Sequence, residues 1–166
     1  MNDTGPTFTA EQTAEITRKV VSELLVADKP AMTLDKARRL VELGKEEARK
    51  AGIALVFAVV DGAGHIVVHE RMDGSLLAAV EVARYKAHTA LSMAMPTEQV
   101  GELVKEGGDF YGLGHSFEGR LVTFGGGRPV FEQNQLIGGF GVSGGSSEQD
   151  IRIARTCLQA CFPVQG

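Results

Sequence analysis

Apolar residues recur at helical spacing early in the chain, at Ile16, Val20, Val21, Leu24 and Leu25, behind a Thr9–Gln12 pair in capping-box register. The spacing predicts a helix over 10–27 that Pro30 stops. Thr33 is placed to cap a second helix, with Asp35 in its first turn and Ala37, Leu40, Val41 and Ala48 as its apolar stripe until Gly52. The pattern then changes. ALVFAVVD, at 54–61, is apolar on both alternating faces, as a strand covered from each side must be, and DGAG turns it into a second strand, HIVVHER. From Ser75 to Met93 the spacing is helical again, with Leu76, Val80, Ala83, Ala87 and Leu91 on one face. Pro96 and Thr97 open a short helix that the glycines at 107 and 108 close. Beyond the loop DFYGLGHSFEG come LVTFGGGRPVF and QLIGGFGV, joined through EQNQ as a second hairpin. Ser146 and Gln149 form a capping box for a last helix over about 147–161. Two hairpins set among helices, with no βαβ alternation, predict an antiparallel sheet flanked by helices, an α+β domain.

The chain has 166 residues, enough for one domain with a substantial core. Its net charge is −4, and its 17 Lys and Arg are scattered among Glu with no basic stripe, which argues against a nucleic-acid partner. The start, MNDTGPTFTAEQ, has no basic segment followed by an apolar one, so no signal peptide is expected. IALVFAVV, at 53–60, is too short to span a bilayer, so no membrane segment is expected either. Cys157 and Cys161 share a helical face without His partners nearby and read as two reduced, packed thiols, which suits a cytoplasmic location. No spacing predicts a metal site.

The 21 glycines cluster, and the clusters are positional. Gly139, Gly141 and Gly144 spell G-x-G-x-x-G at a strand end before a helix. A dinucleotide site would need a second parallel strand bearing an acid about 20 residues on, and the sequence ends at Gly166. Two readings remain: an anion held at a helix N-terminus, or glycines that let backbones approach closely. Gly125, Gly126 and Gly127 pose the same choice between a bulge and a ligand that needs bare backbone, and Arg128 beside them is a candidate anion binder. Gly141–Gly145 matches G-x-S-x-G by letter, but no His follows residue 115, so no hydrolase triad can form.

Four histidines are candidate ligands: His65 in a turn, His69 in a strand, His88 on a helical stripe with Glu81, Arg84 and Tyr85, and His115 in the glycine-rich loop. Of these, His88 and His115 are kept as candidate ligand-binding residues. Arg71 and Asp73 in HERMDG join them, Arg71 as a clamp for a carboxylate and Asp73 as a helix cap or as Arg71's partner; so does Lys86.

AVVDGAGHIVVHERMDG, RYKAHTALSM, LVTFGGGRPVF and IGGFGVSGGSSEQDIRIA, taken in order, resemble the GlcG/HbpS family of haem-binding proteins, which includes the C-terminal domain of PduO-type corrinoid adenosyltransferases. The resemblance runs from about 32 to 163. It implies a profilin-like fold with a five-stranded antiparallel sheet and helices on both faces, a homo-oligomer, and division into an N-terminal extension helix (1–30) and a GlcG/HbpS-like domain (31–166). It also implies haem as a cofactor, ligated by a His near the start of the family's first helix. AMTLDKARRLVELG has no His there, and no residue is carried over. The functional expectation is a small-molecule binder, with haem or another planar anion held by Arg71, Asp73, Lys86 and residues 125–128, and His115 or His88 as iron ligand. The alternative is an enzyme acting on a small anionic metabolite, with a His or Asp73 as acid or base beside Arg71.

Overall fold

The computed structural model describes residues 8–26 and 29–163. Its elements are α1 (Ala10–Val26), α2 (Leu34–Lys50), β1 (Val56–Asp61), β2 (Ile66–Arg71), α3 (Ala78–Met93), α4 (Thr97–Val104), α5 (Leu113–Ser116), β3 (Gly127–Glu132), β4 (Gln135–Ser143) and α6 (Ser147–Cys161). The expected caps form. Thr33 Oγ1 accepts from the Lys36 N–H at 3.3 Å, and Ser146 and Gln149 exchange side-chain and backbone bonds at the start of α6. Gln133 and Asn134 both take positive φ, 49° and 61°, the left-handed pair that a two-residue hairpin between β3 and β4 requires.

The strands pair antiparallel in the order β2-β1-β4-β3. The expected architecture, an antiparallel sheet with helices on both faces, is present, but the sheet has four strands among the described residues and not five. LVTF at 121–124 joins no ladder, and hydroxyls from the helices hold its backbone instead. Thr89 Oγ1 accepts from the Val122 N–H at 3.0 Å, and Thr97 Oγ1 donates to the Phe124 carbonyl at 2.7 Å. The Gly126 carbonyl accepts from the Val142 N–H at 3.0 Å, and the regular ladder with β4 begins at Gly127.

β1 is apolar on alternate residues in both directions because both faces are covered. Phe57 and Val59 face α2 and α6 together with Phe140 and Val142, while Val56, Ala58 and Val60 face Ala79, Ala83 and Ala87 of α3. The Phe57 and Phe140 rings stack 6.4 Å apart, and Gly44 of α2 leaves room for the first of them, since a Cβ there would fall 2.5 Å from Phe57 Cε1. On the other face α3 approaches the sheet very closely. A Cβ at Gly139 would fall 2.1 Å from the Ala87 carbonyl oxygen, and one at Gly141 would fall 2.0 Å from that of Ala83. Two of the three glycines in the G-x-G-x-x-G stretch are thus bare because a helix backbone rests on them, the second of the two readings the sequence left open.

α1 is an outlier in its burial. Ile16, Val20 and Val21, the described side chains of the apolar stripe that predicts this helix, are all exposed, as is Phe8 just before it. No described helix is long and apolar enough to cross a membrane.

Candidate functional site

The close seating of α3 decides what its residues can do. Ala79, Ala83 and Ala87 face the sheet, which turns Arg84, Tyr85 and His88 toward the returning segment 116–121. Between them lies a cavity of about 350 Å³, within the range of small-molecule sites. Arg84 and Arg120 contribute two guanidinium groups, His88 an imidazole, and Phe117 and Leu121 apolar surface. Each arginine is held by a neighbouring acid near the surface. Arg84 donates to Glu81 at 2.6 Å and lies over the Tyr85 ring, 4.6 Å from its centre, while Arg120 pairs with Glu118. Exposed pairs of this kind are weak, so a ligand anion can displace the glutamates at little cost.

His88 is half-buried, and burial first, then the positive charges of Arg84 and Arg120, push its imidazole below the usual histidine range. It is therefore neutral at neutral pH, the form that can ligate a metal or accept a hydrogen bond. Gly64, with φ at +85°, lets the β1–β2 turn pass the ring, since a Cβ there would lie 3.0 Å from His88 Cε1.

The other candidate residues scatter around the fold. His115 is exposed on α5 with Nδ1 3.2 Å from the Gly112 carbonyl oxygen; it lines a separate cavity of about 530 Å³ that shares Glu118 and Leu121 with the first. Arg71 and Asp73 are exposed at the end of β2, with no side-chain hydrogen bond among the described residues. β2 is one edge of the sheet and β3 the other, so three strand spacings, roughly 14 Å, separate Arg71 from the 125–128 stretch. The structure does not gather Arg71, Asp73, Lys86 and 125–128 into one pocket. His69 is bound to the Val80 carbonyl at 3.1 Å, and His65 is exposed beside Asp61.

Lys86 is fully buried. Its ammonium donates to Asp150 Oδ2 at 2.7 Å and to the Val142 carbonyl at 2.8 Å, and lies 4.9 Å from the centre of the Phe124 ring. Asp150 also accepts from the Gly145 N–H at 3.1 Å. Burial lowers the lysine and raises the aspartate, and the contact between them opposes both shifts. Gly126, at φ +117°, closes over this pair, where a Cβ would fall 2.8 Å from Asp150 Cβ and 2.9 Å from Lys86 Nζ; one at Gly125 would strike Ile151. The triple glycine accordingly covers an internal ion pair. Arg128 is buried as well, donating to Glu98 Oε1 at 2.5 Å.

Sequence reasoning placed Arg84 and His88 on one stripe but missed Arg120, Asp150 and Glu98. Asp150 had a faint signal, an acid in the first turn after a capping box, but its partner lies 64 residues away. Among the described residues no group of three or more His, Cys, Asp or Glu could hold a metal ion.

An antiparallel sheet with helices on both faces, and a cavity beside α3 lined by two arginines and a histidine, define a small α+β domain. Residues 32–159 match the family model described as haem degrading protein HbpS-like, and the chain belongs to that family. It is similar to the corrinoid adenosyltransferase PduO of Salmonella typhimurium, with 36% identity over 156 residues that cover 89% of this chain and 46% of that protein. It is also 35% identical to an uncharacterised 15.0 kDa protein of the dhaT–dhaS intergenic region of Citrobacter freundii, covering 79% of this chain and 92% of that one. The chain thus spans less than half of PduO but nearly all of the small protein. Among solved structures, the PduOC:heme complex superposes with a TM-score of 0.78 and 37% identity, over 82% of this chain and 98% of that one.

Proposed function

We propose that the protein binds a planar, anionic small molecule, haem being the first candidate, in the cavity between α3 and residues 116–121. The convergence of Arg84, Arg120 and a neutral His88 on one cavity carries this reading. The donor set fits the group. The guanidinium groups would pair with propionate carboxylates, Phe117 would supply apolar surface, and His88 would hold the iron. Bound there, haem would supply iron-centred redox chemistry, while the chain's own part is to hold the carboxylates and limit access of water. Membership of the HbpS-like family and the likeness to a haem complex support this choice of ligand.

In the same reading the protein is a cytoplasmic homo-oligomer. The uncovered apolar side chains of α1 support self-association. The two free cysteines support a reducing compartment; Cys157 is buried, and that burial pushes its thiol up to about 12.

Titration of the purified protein with haemin, followed in the Soret region, tests the site. A saturable, stoichiometric shift should appear, disappear in His88→Ala and weaken in Arg84→Gln and Arg120→Gln. Binding that tracks iron ligation should also fall off at acidic pH, as His88 protonates. A spectrum no different from that of free haemin, or a shift untouched by His88→Ala, rejects the assignment.

A further inference from the structure

The start of β3 and the last turns of α6 border a further, open cavity of about 360 Å³ that shares no wall residue with the His88 or His115 cavities. Two arginines face it, Arg128 from the edge strand and Arg155 from the helix, and the remaining wall includes Leu158, Phe162 and Pro163. Arg128 is incompletely satisfied. Its Nη2 donates to Glu98 Oε1, while its Nε and Glu98 Oε2 are both buried without a partner. Arg155 forms no ion pair among the described residues, and its charge is close enough to act against that of Arg128. Two guanidinium groups line one cavity, and Glu98 is the one carboxylate paired with either among the described residues, which leaves a place for a second anion. A simple inorganic anion has no use for the Leu158, Phe162 and Pro163 wall, and a purely apolar ligand would leave the guanidinium groups without a partner. The chemistry common to both parts of the lining is a carboxylate on a short apolar body.

We propose that this cavity is a second ligand site that takes a small amphipathic carboxylate, with Arg155 and Arg128 receiving the carboxylate and Leu158, Phe162 and Pro163 receiving the apolar body. The site works independently of the His88 cavity, since the two have separate walls on separate helices.

The test is a ¹⁵N NMR titration of the full chain with hexanoate as probe, with hexan-1-ol and inorganic phosphate as the two half-ligands. Hexanoate should give saturable shifts at the Gln159 and Phe162 amides, and neither half-ligand should do so. Arg155 lies on the exposed side of α6, so Arg155→Gln should fold normally and bind hexanoate about tenfold more weakly or worse. Arg128→Gln is the poorer probe because it leaves Glu98 half-buried without its partner. His88→Ala should leave hexanoate binding intact, which separates failure here from failure of the haem site. Absence of saturable shifts at those amides, unchanged affinity in Arg155→Gln, or phosphate binding as tight as hexanoate would each overturn the proposal.

Discussion

Substituting alanine at Gly141 adds one methyl group, and the structure says that this methyl has nowhere to go. Its carbon would lie 2.0 Å from the Ala83 carbonyl oxygen, 2.8 Å from the Ala87 nitrogen and 3.0 Å from the Ala83 carbonyl carbon. All three are backbone atoms of α3, so no side-chain rotation relieves the clash. Restoring an ordinary contact of 3.4 Å requires the helix to retreat by about 1.4 Å from the sheet. A gap of that size forfeits half or more of the dispersion contact between Ala83 and Ala87 and the row Val56, Ala58 and Val60. It also strains the hydrogen bonds from Lys86 to Val142 and Asp150, which depend on the same seating. Overpacking alone costs about 1–3 kcal/mol, and loosening the buried ion pair adds to it, so Gly141→Ala should lose about 3 kcal/mol or more. Gly114, where an added Cβ meets nothing within 4 Å, is the control, and Gly114→Ala should stay within about 0.5 kcal/mol of wild type. Urea unfolding followed by circular dichroism reads both variants against wild type. A loss below about 1 kcal/mol for Gly141→Ala would refute the claim that these glycines exist to seat α3.

Asp150→Leu strands the Lys86 ammonium in the core and should cost about 3–5 kcal/mol by urea unfolding, whereas Lys86→Met combined with Asp150→Leu should recover most of that loss. Additive losses in this double-mutant cycle would show that the two groups are not coupled. His88 gives a pH prediction. Unfolded, it titrates near about 6.5, and folded it titrates lower, so the folded state binds fewer protons between those two values. Its contribution to stability is complete above about 6.5 and declines as pH falls toward the folded value. Urea midpoints at pH 7.5 and 5.5 should therefore drop more for wild type than for His88→Gln, and parallel drops would contradict the placement of His88.

The elements of this protein were legible because they rest on local chemistry. Thr33 and Ser146 cap helices within three residues of themselves, Pro30 and Gly52 bracket α2, and the doubly apolar β1 announces its own burial between two layers. The clustering of glycines marked where backbone would be special, and the order of the motifs pointed to the family. What tertiary structure alone decided was partnership. Lys86 finds Asp150 at a separation of 64 residues and Arg128 finds Glu98 at 30, so two residues expected to share one pocket each have an acid partner in a different part of the fold. LVTFGGGRPVF reads as one strand by its residues, yet Thr89 and Thr97 take backbone bonds of LVTF, and the strand begins only at Gly127. Arg71 and Arg128 look equally suited to one pocket in the sequence, but the strand order places them on opposite edges. Capping, turn chemistry and periodicity act over a few residues and are written in the sequence. Which distant side chain neutralises a buried charge, and which helix face is left to meet a ligand, depends on how the layers stack.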